Sequence, residues 1–179
     1  MEEHTSQHTK DIHYMKVAKL FMDRSKCLSR KIGAVLVKDD SVIGTGYNGP
    51  PRGVPHCDRR DCAGDYTDYF VSSVCPRQRM GFKSGEGTQF CAAVHAERNC
   101  LMQAAKLSIS TLGATLYAYC PIPCPDCAKE LINSGVKRIV CLPGAEYYEV
   151  GLHSIDLFKF AGITVDIITV KEINEKDTY

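Results

Sequence analysis

Little in this sequence leans strongly one way. Its 179 residues carry 22 Lys and Arg against 21 Asp and Glu, a formal net charge of +1, so it lacks the basic excess expected of a protein that coats a polyanion. Long apolar runs are also missing. The longest uncharged stretch, around residues 112–125, is too short to span a bilayer and is broken by Gly113, Pro121 and Pro123. The opening residues Met1-Glu2-Glu3-His4-Thr5-Ser6-Gln7-His8 have neither the basic nor the apolar region of a secretory leader. Tryptophan is absent, and no internal repeat or low-complexity segment occurs. Together these absences predict a cytoplasmic chain with no nucleic-acid or membrane partner.

Cysteine, by contrast, is abundant, with ten thiols in one chain. A reducing compartment disfavours a disulfide framework. Metal ligation then best explains clustered cysteines, and burial as small apolar groups explains scattered ones. A hydrophobic content of 44% is ordinary for a globular protein, and the length suits one domain over 1–179.

Apolar residues at three- and four-residue steps (Ile12, Met15, Ala18, Phe21, Met22) predict an amphipathic helix over 11–25, preceded by a loose segment at 1–10. Residues 33–37 and 41–47 read as two strands joined by a hairpin turn at Asp39-Asp40. Segment 48–90 holds Pro50, Pro51, Pro55 and Pro76, several glycines and no sustained period, a long Cys-rich loop that needs its own function or crosslink. Regularity then returns. Helices are expected at 95–106, 125–133 and 152–160, strands at 115–119, 138–142 and 163–170, and a polar tail at 171–179. This alternation predicts an α/β domain of three layers, α/β/α, around a mixed sheet of about five strands.

Gly44-Thr45-Gly46-Tyr47-Asn48-Gly49 is a literal G-x-G-x-x-G at a strand end. A dinucleotide site would need a helix to start there, so that its N-terminus could hold the pyrophosphate. Pro50-Pro51 instead forces extended or turn geometry, and the segment reads as a glycine-rich turn.

The chemistry-bearing residues lie further on. His95-Ala96-Glu97 opens one predicted helix and Pro123-Cys124-Pro125-Asp126-Cys127 opens the next. One His and two Cys are three ligands for a catalytic zinc, leaving a fourth position for water. Cys124 and Cys127 are one helical turn apart, so both sulfurs can face one point. Glu97 is close enough to shuttle protons without ligating the metal. An isolated C-x-x-C would equally suit a redox pair or half of a structural zinc site, but neither gives His95 and Glu97 a role.

This H-x-E…P-C-x-x-C arrangement is the signature of zinc-dependent nucleobase deaminases. Added to it are Ser25-Lys26-Cys27, Lys31-Ile32-Gly33-Ala34-Val35, Gly46-Tyr47-Asn48-Gly49-Pro50-Pro51-Arg52-Gly53, His95-Ala96-Glu97-Arg98-Asn99 and Gly113-Ala114-Thr115-Leu116-Tyr117. In order over 11–142, the sequence resembles deoxycytidylate (dCMP) deaminases of bacterial and phage type. The resemblance implies a cytidine-deaminase-like fold, conversion of dCMP to dUMP, a homo-hexamer, and regulation by dCTP as activator and dTTP as inhibitor, with Mg²⁺ accompanying the triphosphate. It assigns Glu97 as proton shuttle, the Ala96 N–H as a contact to the base, Asn48 as a contact to the sugar and Tyr119 as a packing residue near the base. It also matches Gln103 and Lys106 to a nucleotide-effector region. Between Tyr117 and Cys124 this chain carries one residue more than the family pattern.

A nucleotide phosphate needs positive charge near the site, and Arg30 or Lys31, in the cluster Arg24, Lys26, Arg30, Lys31, is the candidate. Cys27, Cys57, Cys75 and Cys91 resemble the ligands of a structural zinc that would crosslink the long loop, with His56 or Cys62 as substitutes for one of them. Cys100, Cys120 and Cys141 are expected to be packing residues. Alternatives are a deaminase of another substrate (free cytidine, dCTP or tRNA) and a non-catalytic zinc-binding regulator. A tRNA enzyme would be more basic, and a regulator would not require Glu97.

Overall fold

A computed structural model describes residues 2–59, 73–83, 86–144 and 148–175. Helix α1 spans Glu2–Met22, so it starts earlier than apolar spacing predicts and replaces the loose segment expected at 1–10. Polar contacts help hold this extension. Gln7 donates to Asp11 Oδ1 one turn later at 2.9 Å, and Lys10 pairs with Asp40 at 2.6 Å. Strands β1 (Gly33–Lys38) and β2 (Ser41–Tyr47) form the expected hairpin. Asp39 and Asp40 have φ of 50° and 55°, the left-handed geometry of a two-residue type I′ turn.

The long segment contains 3-10 turns at Cys57–Arg59 and Thr88–Phe90 and a one-turn helix, α2 (Pro76–Arg79). Cys62 lies outside the described residues. Then α3 (Ala96–Lys106), β3 (Thr115–Ala118), α4 (Pro125–Asn133), β4 (Arg138–Cys141), α5 (Tyr148–Phe160) and β5 (Thr164–Ile167) follow in the predicted alternation. The predicted tail is in part helix α6 (Val170–Glu175). Thr169 and Glu172 form a capping box: Glu172 accepts from the Thr169 N–H at 2.7 Å and donates its own N–H to Thr169 Oγ1 at 3.2 Å. Ile173 then buries against α1.

The strands lie in the order β2-β1-β3-β4-β5. β1 is antiparallel to β2 and β3, whereas β3, β4 and β5 run parallel. Alternate residues face opposite layers. Ala34, Leu36, Leu116, Ala118, Ile139 and Cys141 pack with α3, α4 and α5. Val35, Val37, Tyr117 and Val140 pack with α1 and α6. The three-layer α/β/α architecture and mixed five-stranded sheet are those the sequence predicts. No helix among the described residues is long and apolar enough to cross a membrane.

Two features of this frame place the site. A Cβ at Gly46 would collide with the Ala96 carbonyl, and one at Gly44 would lie 2.8 Å from the Cys100 carbonyl. These glycines therefore let the start of α3 lie directly on β2, which is the structural use of the glycine-rich motif. On the other face, Arg138 donates to both oxygens of buried Asp11 at 2.7 Å, and the Tyr117 hydroxyl donates to the same carboxylate at 2.8 Å. Burial would raise the pKa of Asp11, but the bonds from Arg138, Tyr117 and Gln7 outweigh it and hold the carboxyl below its ordinary range.

Candidate active site

Helices α3 and α4 start side by side. Gly49 and Val94 exchange backbone hydrogen bonds (3.1 and 2.8 Å), and the Asn99 amide donates to the Tyr47 carbonyl at 2.8 Å. These bonds fix the approach to α3, whose N-cap is His95. Cys124 is the N-cap of α4, Pro125 occupies its first turn, and Cys127 lies one turn in. The positive ends of both helix dipoles thus converge on the same point, where thiolate charge is favoured.

His95 Nδ1 lies 3.5 Å from Cys124 Sγ and 3.3 Å from Cys127 Sγ. Tetrahedral zinc, with Zn–S of ~2.3 Å and Zn–N of ~2.0–2.1 Å, requires these atoms to be roughly 3.5 Å apart. The donor set and its spacing therefore fit Zn²⁺. A hydrogen bond with Cys127 chiefly drives the Cys124 thiol down to about 4, with help from His95 and against the cost of burial; Cys127 is pushed up. Among the described residues, His95, Cys124 and Cys127 are the one group of three His, Cys, Asp or Glu side chains gathered this closely.

Glu97 is 3% exposed beside this group. Burial pushes its carboxyl above the ordinary range, partly offset by a hydrogen bond from its own backbone N–H and by the charge of His95. Its Oε1 accepts a hydrogen bond from Cys120 Sγ at 3.9 Å, and its Oε2 is buried with no partner in the protein. Arg98 ties the two ligand-bearing helices together, with Nε 2.9 and 2.8 Å from the two carboxylate oxygens of Glu130 and Nη2 on the same carboxylate. Among known families, the model for the cytidine and deoxycytidylate deaminase zinc-binding region matches residues 8–143.

The chain belongs to the cytidine and deoxycytidylate deaminase family.

Relatives include the deoxycytidylate deaminase of Mycobacterium phage D29, 36% identical over 73% of this chain and 91% of that protein. The deoxycytidylate deaminase of Schizosaccharomyces pombe is 31% identical over 86% of this chain. The chain spans 42% of the length of that yeast relative. The crystal structure of dCMP deaminase from the cyanophage S-TIM5 in complex with dCMP and dUMP superposes with a TM-score of 0.63 at 30% identity. That match covers 87% of this chain and 94% of the phage chain.

The remaining candidates occupy varied positions in this deaminase-family chain. Ala96 is the first residue of α3 and fully buried. Asn48 accepts at Oδ1 from the Ile32 N–H (2.8 Å) and the Ser25 hydroxyl (2.8 Å), and donates from Nδ2 to the Arg30 carbonyl (2.7 Å). One Nδ2 hydrogen is left over. Arg30 is half-buried and close enough for its charge to act on the Cys120 thiol, whereas Lys31 is exposed. Gln103 is tied into the fold, its Oε1 accepting from the N–H (2.6 Å) and hydroxyl (2.7 Å) of Thr45 on β2. Lys106 is exposed in the last turn of α3.

Tyr119 requires correction. It packs with the cluster under α1, with Lys19 Nζ 5.8 Å from its ring centroid, on the face of the sheet away from Glu97. Alternation along and beyond β3 puts Leu116, Ala118 and Cys120 on the Glu97 side. Cys120, expected to be a packing residue, is buried in the core, and its thiol also touches Glu97. Cys100 and Cys141 are buried in the core as expected. Cys57 and Cys75 are buried and Cys27 and Cys91 half-buried, but the structure does not bring three of the four to within ligand distance of one another.

Proposed function

We propose that this chain catalyses hydrolytic deamination of dCMP to dUMP with release of ammonia, supplying dUMP for thymidylate synthesis. The observation that carries the reading is Glu97, a buried carboxylate whose unpartnered Oε2 lies beside a His-Cys-Cys group that fits zinc. The substrates of its named relatives support the choice of nucleotide.

His95, Cys124 and Cys127 would hold Zn²⁺, which when bound polarises a water molecule for attack at neutral pH. Glu97 takes a proton from that water at Oε2 and delivers it to N3 of the cytosine ring. The water oxygen forms a bond to C4. Glu97 then passes the second proton to the exocyclic amino group, the C4–N bond breaks, and ammonia leaves. The Ala96 N–H, at the first turn of α3 and so without an intrahelical acceptor, orients the base. The spare Nδ2 hydrogen of Asn48 contacts the sugar, and Arg30, the more enclosed of the two candidates, contacts the phosphate.

The same reading extends to dCTP activation, dTTP inhibition, Mg²⁺ with the triphosphate, and effector contacts from Lys106 and Gln103. It also includes a homo-oligomer, in keeping with the apolar face that Leu152, Ile155 and Phe160 expose on α5. The reading also keeps a second, structural zinc on Cys27, Cys57, Cys75 and Cys91, with the buried, unpartnered His56 Nδ1 as a donor that could replace one of them. Metal analysis should then give two zinc ions per chain; one per chain would count against this site.

The deciding experiment is ammonia release from dCMP, deoxycytidine, dCTP and CMP, each with and without dCTP or dTTP. Preferred turnover of dCMP supports the assignment. Preferred turnover of another substrate, or of none, overturns it.

A further inference from the structure

The Glu97 carboxylate is almost wholly enclosed, yet its surroundings offer it one polar side-chain contact, the Cys120 thiol. The two oxygens are therefore unequal. Oε1 faces a sulfur at 3.9 Å, and Oε2 faces no protein donor. Cys120 reaches this position because the backbone bends just after β3. Its N–H donates to the Ala118 carbonyl at 2.8 Å, and its own carbonyl accepts from the Leu142 N–H at 2.8 Å. Those bonds anchor the residue from both sides, four residues before Cys124.

We propose that Cys120 is a positioning residue for Glu97, its thiol holding Oε1 so that Oε2 alone is presented to the reacting water and base. Cys120 is buried in the core cluster that also includes Ala34, Ala96, Ala118 and Ala128, and its thiol is the side-chain donor found at Oε1. Burial also raises the Cys120 pKa well above the thiol range, so the sulfur keeps the hydrogen it donates. A carboxylate side chain turns readily about its last torsion, and a single weak S–H donor suffices to favour one orientation without competing for the oxygen that does the work.

The inference rests on the proton-shuttle reading of Glu97, and two measurements separate their failures. The first compares Cys120→Ser and Cys120→Ala as zinc-loaded enzymes. Loss of the donor in the Ala variant should lower kcat by about 3- to 10-fold with KM and zinc content unchanged, the size expected for one modest hydrogen bond. The Ser variant, which keeps a donor, should retain more of kcat than Ala. If packing were the whole role, the apolar Ala would be tolerated as well as or better than the polar Ser, and that order overturns the proposal. The second is the infrared S–H stretch of Cys120, assigned by its disappearance in Cys120→Ser. It should shift when Glu97→Ala removes the acceptor oxygen. An unmoved band shows that the thiol does not hold Glu97, whatever Glu97 does in turnover.

Discussion

Glu97 shows how much one side chain can draw from its place in a fold. Two residues after the helix-capping His95, it sits in the first turn of α3, where a carboxylate is favoured by the helix dipole but enclosed by apolar groups. A general acid–base group contributes about 10²–10⁴-fold to rate, so Glu97→Ala should lower dCMP turnover by at least that much. Zinc content, set by His95, Cys124 and Cys127, should stay unchanged. Turnover retained within a few-fold by this variant would remove the shuttle role. At this scale the sequence was most legible where the chemistry is local. His95, Cys124 and Cys127 stand out by type and spacing, and the structure gathers their side chains with Glu97 buried nearby, because a tetrahedral metal site would need such atoms a fixed number of residues apart. The neighbours of Glu97 were less so. Whether Tyr119 or Cys120 faces it depends on the strand register and on a backbone bend after Ala118, and neither is written in residue type.

Elements matter because the candidate zinc ligands arrive on two of them. The ligand constellation exists only while the starts of α3 and α4 keep their relative position, and the Arg98–Glu130 fork spans that junction. Both side chains are more than one-third exposed, so water screens the pair. Its worth is about 0.2–1 kcal/mol, which corresponds to up to about fivefold in zinc affinity if the energy is spent on holding the helices in register. Arg98→Leu and Glu130→Gln should each weaken zinc binding by that factor in chelator competition, and the exchange Arg98→Glu with Glu130→Arg should recover most of it. Equal zinc affinity in all four proteins would show that the fork is incidental. Element ends explain other differences from the sequence expectation. The Thr169-x-x-Glu172 box was readable as a helix start, but the apolar run just before it suggested one long strand and hid the change. Helix α1 extends through residues whose holding contacts reach distant Asp40 or a neighbouring turn, which apolar periodicity does not register.

For the whole molecule, near-neutrality conceals a few charges placed where they hold layers together. Arg138 on β4 grips Asp11 on α1 and Asp166 on β5, so a single guanidinium fastens the α1 layer to the sheet and the last two strands to each other. Breaking a buried pair typically costs about 3–5 kcal/mol when the remaining charge is left without a counterpart, and here Arg138 keeps Asp166, so the loss is smaller. Asp11→Asn should therefore lower the stability of the whole domain by a substantial part of that amount at neutral pH. The pH dependence follows from the depressed Asp11 pKa. The unfolded chain takes up the proton near pH ~3.9 and the folded chain only below it. The pair thus contributes its full stability above pH ~4, and loses it as pH falls through the lower folded-state value. Urea unfolding of the parent chain and of Asp11→Asn should accordingly differ most at pH 6–7 and converge toward pH 3. A gap that stays constant down to pH 3 would mean that Asp11 holds α1 by shape alone.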